Sequence, residues 1–330
     1  MEPVRFGTLG AARITSQALL RPAARLEEAE VVAVAARDLA RARRFAEKRR
    51  IPRVVSDYEA LINDPDIDAV YNPLPNGLHG RWTIAALEAG KHVLCEKPFT
   101  ANAAEAEEVA AVATESGKTC AEAFHYRYHP LWARALDLVA QGAVGRIEHV
   151  EATMCVPLFP PNDIRWSWPL AGGALMDIGC YAVNMVRSLA GAEPAPTAVR
   201  YRSHRDPRID RWLQADLTFP SGVGGRVTCA LTGATPLRFR AEVRGEAGTM
   251  TVRNPTVPQL GQRIVVETDG RTSRERVKGE ATFYYQLRAF CASVREGLPV
   301  LTPPEDAVAN MAVIDAIYRA ADLPVREPTR

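Results

Sequence analysis

The sequence predicts an α/β protein in two parts. The first is built on a doubly wound parallel sheet; the second is α+β, around an open, mainly antiparallel sheet. Three observations carry this. Short apolar runs alternate with helical stretches six times over the first ~125 residues. From Thr197 to Glu267 strand patterns follow one another without helices between them. Turns of unusual composition at Gly10, Arg37, Asn72 and Glu96 each follow the carboxyl end of a predicted strand, where an open parallel sheet binds its ligand.

Residues 4–9 form an apolar strand that runs into Gly10-Ala11-Ala12-Arg13-Ile14-Thr15. Helix formers follow over 16–26, with a break or kink at Pro22. This is the strand–turn–helix setting of a dinucleotide fingerprint. Gly10 takes the place of the first glycine, Ala12 of the second and Thr15 of the third. Ala12 is small enough for a pyrophosphate to come near the backbone, and the helix start offers free N–H groups. Taken alone, the stretch reads equally well as a tight turn with no ligand.

The second strand covers 31–36, and Asp38 caps a helix over 39–48. An acidic residue at the end of this strand would hold the ribose 2′-OH of NAD. Here stand Ala36 and then Arg37, which favours the 2′-phosphate of NADP, with NAD as the second choice. The plainer reading makes Arg37 one more exposed arginine beside Arg41, Arg43 and Arg44. A third strand covers 54–56 and a short helix 57–63.

Residues 69–98 hold the centre of the chemistry. Ala69-Val70-Tyr71 stops at Asn72-Pro73, a helix spans 79–89 and ends at Gly90, and the run 92–95 stops at Glu96-Lys97-Pro98. A Lys-Pro bond can be cis at modest cost, which would aim a side chain. A lone loop lysine reads as a solvated charge; the strand-end position makes Lys97 the chemical centre instead. A helix over 101–116 and a sixth strand over 119–123 complete the first part, assigned to residues 1–124.

At the boundary with the second part, residues 125–330, stands an aromatic and basic cluster, Phe124-His125-Tyr126-Arg127-Tyr128-His129-Pro130, read as a hinge and site wall or as a packed domain junction. A helix over 131–141 and a strand over 147–156 follow, then a loop over 157–169 with Arg165, Trp166 and Trp168. After Gly172-Gly173 a helix runs to Ala190. Asp177 and Tyr181, four apart, share one of its faces, with Asn184 near. Beside the apolar Leu175, Ile178, Ala182 and Met185 they suggest a polar pocket wall; on an isolated helix they would read as a surface pair. Six strands over 198–268 argue one antiparallel sheet with a face left for a partner subunit. Helices over 283–296 and 304–321 close the chain.

Composition bounds the function. A net charge of +2 points to neither nucleic acid nor membrane, and no apolar run approaches a membrane span. No signal peptide is read in the opening residues, and cysteines that suit a reducing compartment make the cytoplasm the expected location. Cys95, Cys120, Cys155, Cys180, Cys229 and Cys291 form no C-x-x-C pair, and read as buried free thiols with no metal site.

Three motifs together, Glu96-Lys97-Pro98, Asn72-Pro73-Leu74-Pro75-Asn76-Gly77-Leu78-His79 and Gly172-Gly173-Ala174-Leu175-Met176-Asp177-Ile178-Gly179-Cys180-Tyr181, resemble the Gfo/Idh/MocA oxidoreductases over nearly the whole chain. The likeness is greatest to the branch of NADP-dependent sugar and trans-dihydrodiol dehydrogenases, which has tyrosine at the position of Tyr181. The resemblance implies a Rossmann domain holding a nicotinamide cofactor, a sugar or polyol substrate between the domains, and a homodimer or homotetramer through the open sheet. It makes Lys97 and Tyr181 the catalytic pair with Asp177 beside them. Gly10, Ala11, Ala12, Arg13, Ile14, Arg37, Pro73, Leu74, Asn76, His79, Glu96 and Lys97 would line the cofactor. Tyr126, Arg127, Arg165 and Trp166 are the candidates for substrate. Ala12 departs from the fingerprint, and the 157–169 loop matches no substrate-specific motif.

The reaction would pass hydride between nicotinamide and a carbinol or carbonyl carbon, and a protein group must move a proton at the substrate oxygen. Tyr181 does this if Lys97 stabilises its tyrosinate; alternatively Lys97 is the acid/base and Tyr181 orients the substrate. Asp177 would hold the lysine or a sugar hydroxyl. No Y-x-x-x-K of a short-chain dehydrogenase and no Cys/His cluster of a zinc alcohol dehydrogenase occurs. The alternatives are a non-catalytic NADP sensor, a trans-dihydrodiol dehydrogenase, and an NAD-dependent glycosidase of the same fold.

Overall fold

The computed structural model describes residues 2–160, 162–232 and 236–329. Pro161, in the predicted 157–169 loop, lies outside them. The chain divides into two compact units: residues 1–128 with 283–308, and 129–282 with 309–330. The change of unit at Tyr128/His129 falls inside the aromatic cluster. The return of Phe283–Val308 to the first unit has no place in a division at residue 124.

The first unit alternates β1 (Val4–Leu9), α1 (Arg21–Ala23), β2 (Ala29–Ala35), α2 (Leu39–Arg49), β3 (Arg53–Val55), α3 (Tyr58–Ile62), β4 (Ala69–Asn72), α4 (His79–Glu88), β5 (His92–Cys95), α5 (Ala103–Ser116) and β6 (Cys120–Glu122). All six strands are parallel, in the order β3-β2-β1-β4-β5-β6. The order reverses between β1 and β4, and the turns after both face the crevice that such a reversal opens. Helix starts are set by side-chain caps. Asp38 accepts the Arg41 N–H at 3.0 Å, and Asp57 the Ala60 N–H at 2.7 Å. Asn102 accepts the Glu105 N–H at 2.9 Å while the Glu105 carboxylate accepts the Ala101 N–H at 2.8 Å, a close relative of the capping box. The helical stretch expected over 16–26, with a break or kink at Pro22, is one π turn, Ser16–Leu20, running into α1, which contains Pro22.

The core under this sheet joins Phe6, Leu19, Tyr71, Leu94 and Ala121 to Leu287, Phe290 and Cys291 of α8 (Thr282–Glu296). The rings of Phe6 and Phe290 lie 5.8 Å apart. All six cysteines are buried free thiols.

The second unit contains α6 (Pro130–Ala140), β7 (Ile147–Val156), a π turn at Leu175–Gly179 that leads into α7 (Cys180–Ala190), and seven strands: β8 (Ala195–Ser203), β9 (Asp210–Thr218), β10 (Gly224–Leu231), β11 (Arg238–Gly245), β12 (Gly248–Arg253), β13 (Arg263–Thr268) and β14 (Arg271–Glu275). Helix α9 (Pro304–Ala320) begins in the first unit and continues into the second. The eight strands run β14-β13-β12-β11-β7-β10-β9-β8. The sheet is mainly antiparallel, but not the simple succession expected: β7 enters its middle, antiparallel to β11 and parallel to β10. Alternation serves both faces. Val150, Met154, Leu213, Leu217, Val227 and Val243 are buried. The opposite face carries Glu151, Asp216, Arg226 and Arg240, with Arg226 bonded to Asp216 at 2.6 Å.

Candidate active site

In the first unit the site begins at Gly10. Its φ of +78° is in the left-handed region, and a Cβ there would meet Leu74 Cδ2 at 3.1 Å. The turns after β1 and β4 therefore touch at a residue with no side chain. Beyond it, Thr15 Oγ1 and Ser16 Oγ are buried without a hydrogen-bond partner. Ala12 is half-buried and Arg13 exposed. Arg37 is exposed at the end of β2. Arg41, which sequence reasoning treated as surface charge, reaches back from α2 and donates to the Ala11 carbonyl at 2.9 Å. Tyr58 was also missed. Its oxygen accepts the Arg37 backbone N–H, its ring packs edge-on against Trp82 at 4.9 Å, and burial raises its pKa. Spacing gave no sign of Tyr58, because only the β2–β3 pairing brings α3 beside the end of β2.

The turns after β4 and β5 are tied together by two buried groups. Tyr71 donates its hydroxyl to Glu96 Oε1 at 2.7 Å. His79, at the start of α4, places Nδ1 2.7 Å from the Pro98 carbonyl and Nε2 2.7 Å from the Leu74 carbonyl. Burial pushes the His79 pKa down to about 4, with a small further push from Lys97. At neutral pH the ring therefore has one N–H, which serves one of the two carbonyls. Asn72 donates to the His79 carbonyl and to Thr83 Oγ1, both at 3.1 Å. Lys97 sits half-buried on this braced turn, and its bond to Pro98 is cis. Pro73 is buried and Asn76 half-buried, on the turn after β4. Tyr126 is fully buried, and Arg127 pairs with Asp306 at 3.5 Å.

The His79 ring sets a pH dependence. The unfolded chain takes up a proton near pH 6.5 that the folded ring refuses down to about 4. Its contribution to stability is therefore intact above pH 6.5 and is lost as pH falls towards 4, by about 3 kcal/mol at full extent. Denaturant unfolding at pH 7 and 4.5 should show a fall in stability about 2–3 kcal/mol larger for wild type than for His79→Gln. Equal falls would remove the ring as the cause.

In the second unit Asp177 and Tyr181 line one segment, but the π turn ends between them, interrupting the even α-helical spacing assumed for the pair. Asp177 also has a partner that the sequence did not indicate. Arg165 donates from Nε to Asp177 Oδ2 at 2.8 Å and from Nη1 to Asp163 Oδ1 at 3.0 Å. The Asp177 carboxylate raises the Arg165 pKa further. Arg165 is thus held by two carboxylates. Trp166 stacks on His204 at 4.4 Å with the ring planes nearly parallel, and donates its indole N–H to the Pro160 carbonyl at 3.2 Å. Tyr181 and Asn184 are buried.

Comparison with known proteins gives a consistent answer. Residues 4–124 match the oxidoreductase family model with an NAD-binding Rossmann fold, and residues 132–251 match the GFO/IDH/MocA C-terminal domain. The chain is 37% identical over 321 residues to a D-xylose 1-dehydrogenase (NADP(+)) of Haloferax volcanii, covering 96% of this chain and 97% of that one. A 3-ketoreductase from Actinomadura kijaniata, solved with NADP and TDP-benzene, superposes with a TM-score of 0.90 at 31% identity, covering 96% of this chain and 98% of that one. An aldose-aldose oxidoreductase from Caulobacter crescentus, complexed with glycerol, gives a TM-score of 0.88 at 27% identity, covering 97% and 98%. With its parallel sheet, its open second sheet and both motif-bearing segments in place, the chain belongs to the Gfo/Idh/MocA family and is an NAD(P)-dependent sugar oxidoreductase.

Proposed function

We propose that the chain transfers hydride between NADP and a carbinol or carbonyl carbon of an aldose or related polyol, with Lys97 and Tyr181 managing the proton and Asp177 supporting them. The observation that carries this is the placement of Lys97 on a turn after β5 that Tyr71–Glu96 and His79 brace from two sides. The tyrosine and the lysine replaced in variants of the A. kijaniata enzyme stand 84 residues apart, as Lys97 and Tyr181 do here, which supports the pairing.

The residues present fit NADP. The Gly10 turn is free of a Cβ, and the buried hydroxyls of Thr15 and Ser16 lack partners that a phosphate would provide. Ala36 removes the carboxylate that would repel a 2′-phosphate, and Arg37 and Arg41 supply positive charge beside it. When bound, the nicotinamide gives or accepts the hydride. The ammonium of Lys97 stabilises negative charge on the Tyr181 phenol or on the substrate oxygen as the proton moves. Arg165 fixes the orientation of Asp177 for contact with a substrate hydroxyl. Pairing with two carboxylates makes Arg165 a support for Asp177 rather than a primary substrate ligand.

Arg37→Ala should weaken NADPH binding by about 10–100-fold, the loss of one charge-assisted contact, and leave NADH within about twofold. Fluorescence titration reads both. The function is tested by adding D-xylose, then other aldoses, inositols and dihydrodiols, to protein loaded with NADP. Sugar-dependent formation of NADPH is expected. NADPH binding without turnover on any polyol would favour a sensor, and no nucleotide binding would overturn the reading from Gly10 onward. We place the protein in the cytoplasm, which its six free thiols suit, and seat a second copy of the chain on the open sheet face. Among the described residues no helix is long and apolar enough to cross a membrane. Light scattering of the intact protein would find two or four chains; a single chain would overturn the pairing.

A further inference from the structure

The last residues of the chain enter the interior of the second unit. Arg326 is 1% exposed, and each nitrogen of its guanidinium donates a hydrogen bond. Nη2 donates to Asp210 Oδ1 at 2.9 Å, Nε to the Gly172 carbonyl at 2.8 Å, and Nη1 to the Pro324 carbonyl at 2.9 Å. Its charge lies over the rings of Tyr318 at 4.1 Å and Trp168 at 4.8 Å. Asp210 is equally buried and divides its oxygens. Oδ1 accepts Arg326 and the Tyr318 hydroxyl at 2.9 Å. Oδ2 accepts the Leu175 N–H at 2.7 Å. Burial holds the Tyr318 phenol well above its ordinary pKa, so it remains a donor.

These bonds converge on one place. Leu175 opens the π turn that contains Asp177 and leads to Tyr181, and its N–H is one of the donors a helix start leaves unmet. Asp210, 35 residues away in sequence, acts as its cap. Gly172 and Gly173 form the approach to that turn. Gly173 has φ +140°, and a Cβ there would fall 2.4 Å from Asp210 Oδ1 and 2.6 Å from Arg326 Nη2. The Gly173 N–H donates to the Arg165 carbonyl at 2.9 Å, and the Arg165 side chain bonds Asp177. Further along the tail, Thr329 donates to the Pro169 carbonyl at 2.5 Å. The tail thus grips residues 169–173 and, through Asp210, the first turn of the helix together.

We propose that Arg326, through Asp210 and Gly172, is a positioning residue that sets the π turn carrying Asp177 and, through it, the place of Tyr181. The inference rests on the reading of Asp177 and Tyr181 as site residues. Lysine cannot replace arginine here, because one ammonium does not span two acceptors in a planar fork. A small displacement of a reacting group costs up to about 100-fold in rate.

The test uses the full-length protein and the variants Arg326→Lys, Arg326→Met and Tyr181→Phe. Hydrogen exchange of peptides covering 172–181 is followed by mass spectrometry, and rates are measured with D-xylose and NADP at saturating concentrations. Both Arg326 variants should speed exchange in 172–181 and lower kcat about 10–100-fold, with NADPH affinity and exchange in 4–16 unchanged. Rates are expressed per NADPH-binding site, so unfolded protein does not count. Unchanged exchange in 172–181, or wild-type kcat per site, overturns the proposal. A general rise in exchange across the chain with lost NADPH binding in both variants also overturns it, because Arg326 would then be a plain stability residue. A fully active Tyr181→Phe, or a wild type inert towards D-xylose, counts against the functional reading alone; the exchange result still decides the positioning.

Discussion

Lys97→Met is expected to lower kcat by about 10²–10⁴-fold while leaving NADPH binding within a few-fold of wild type. Methionine keeps an unbranched stem of similar reach and removes only the ammonium. The turn itself does not depend on that charge: the Tyr71–Glu96 bond and the His79 ring hold it from neighbouring backbone and side chains. Binding and chemistry should therefore separate. Initial rates and NADPH titration on the same preparation check this. Parallel loss of both would reduce Lys97 to a cofactor contact, and unchanged kcat would move the proton to Tyr181 alone.

Gly173→Ala should give the largest loss of stability. The backbone at φ +140° admits a side chain only with strain of roughly 1–3 kcal/mol. The added methyl would also fall within bonding distance of both members of the buried Asp210–Arg326 pair, and parting such a pair costs roughly 3–5 kcal/mol. A loss of at least about 4 kcal/mol is expected, a large share of the ~5–15 kcal/mol by which a protein is ordinarily stable. Thermal unfolding followed by near-UV circular dichroism, or the yield of soluble protein, reads the effect. A variant as stable as wild type would mean that the Gly172–Gly173 turn can move away from Asp210.

The sequence disclosed the first unit well, because each strand there ends in a turn with its own chemistry. Asp38 and Asp57 announce helix starts, and buried parallel strands read as unbroken apolar runs. It disclosed the two motif-bearing segments for the same reason: glycine and proline punctuate both. What it hid depends on pairing between distant residues. Nothing local says that β7 leaves its neighbours in sequence and enters the sheet between β10 and β11. Period alone marks α8 as amphipathic but not which core its apolar side joins. Arg165 looked like a substrate arginine because its loop is rich in tryptophan, and only folding reveals Asp163 and Asp177 as its partners. Tyr71 looked like one more apolar strand residue, since its ring is buried and only its hydroxyl reaches Glu96. Arg41 and Tyr58 were hidden because an exposed arginine and a helix tyrosine carry no sign of what lies across a strand end.

The return of α8 to the first unit has a consequence for how the chain is made. Residues 129–282 leave the ribosome before Leu287, Phe290 and Cys291, which complete the core around Phe6 and Leu94. The nucleotide-holding sheet therefore cannot mature during the first third of synthesis. Its apolar underside waits through the emergence of a whole β-sheet, and long-range contacts of this kind close slowly. A fragment ending at Tyr128 would carry every residue assigned to the cofactor and still lack the helix that covers its core. Evolution can exchange such a half between enzymes only together with a segment far downstream.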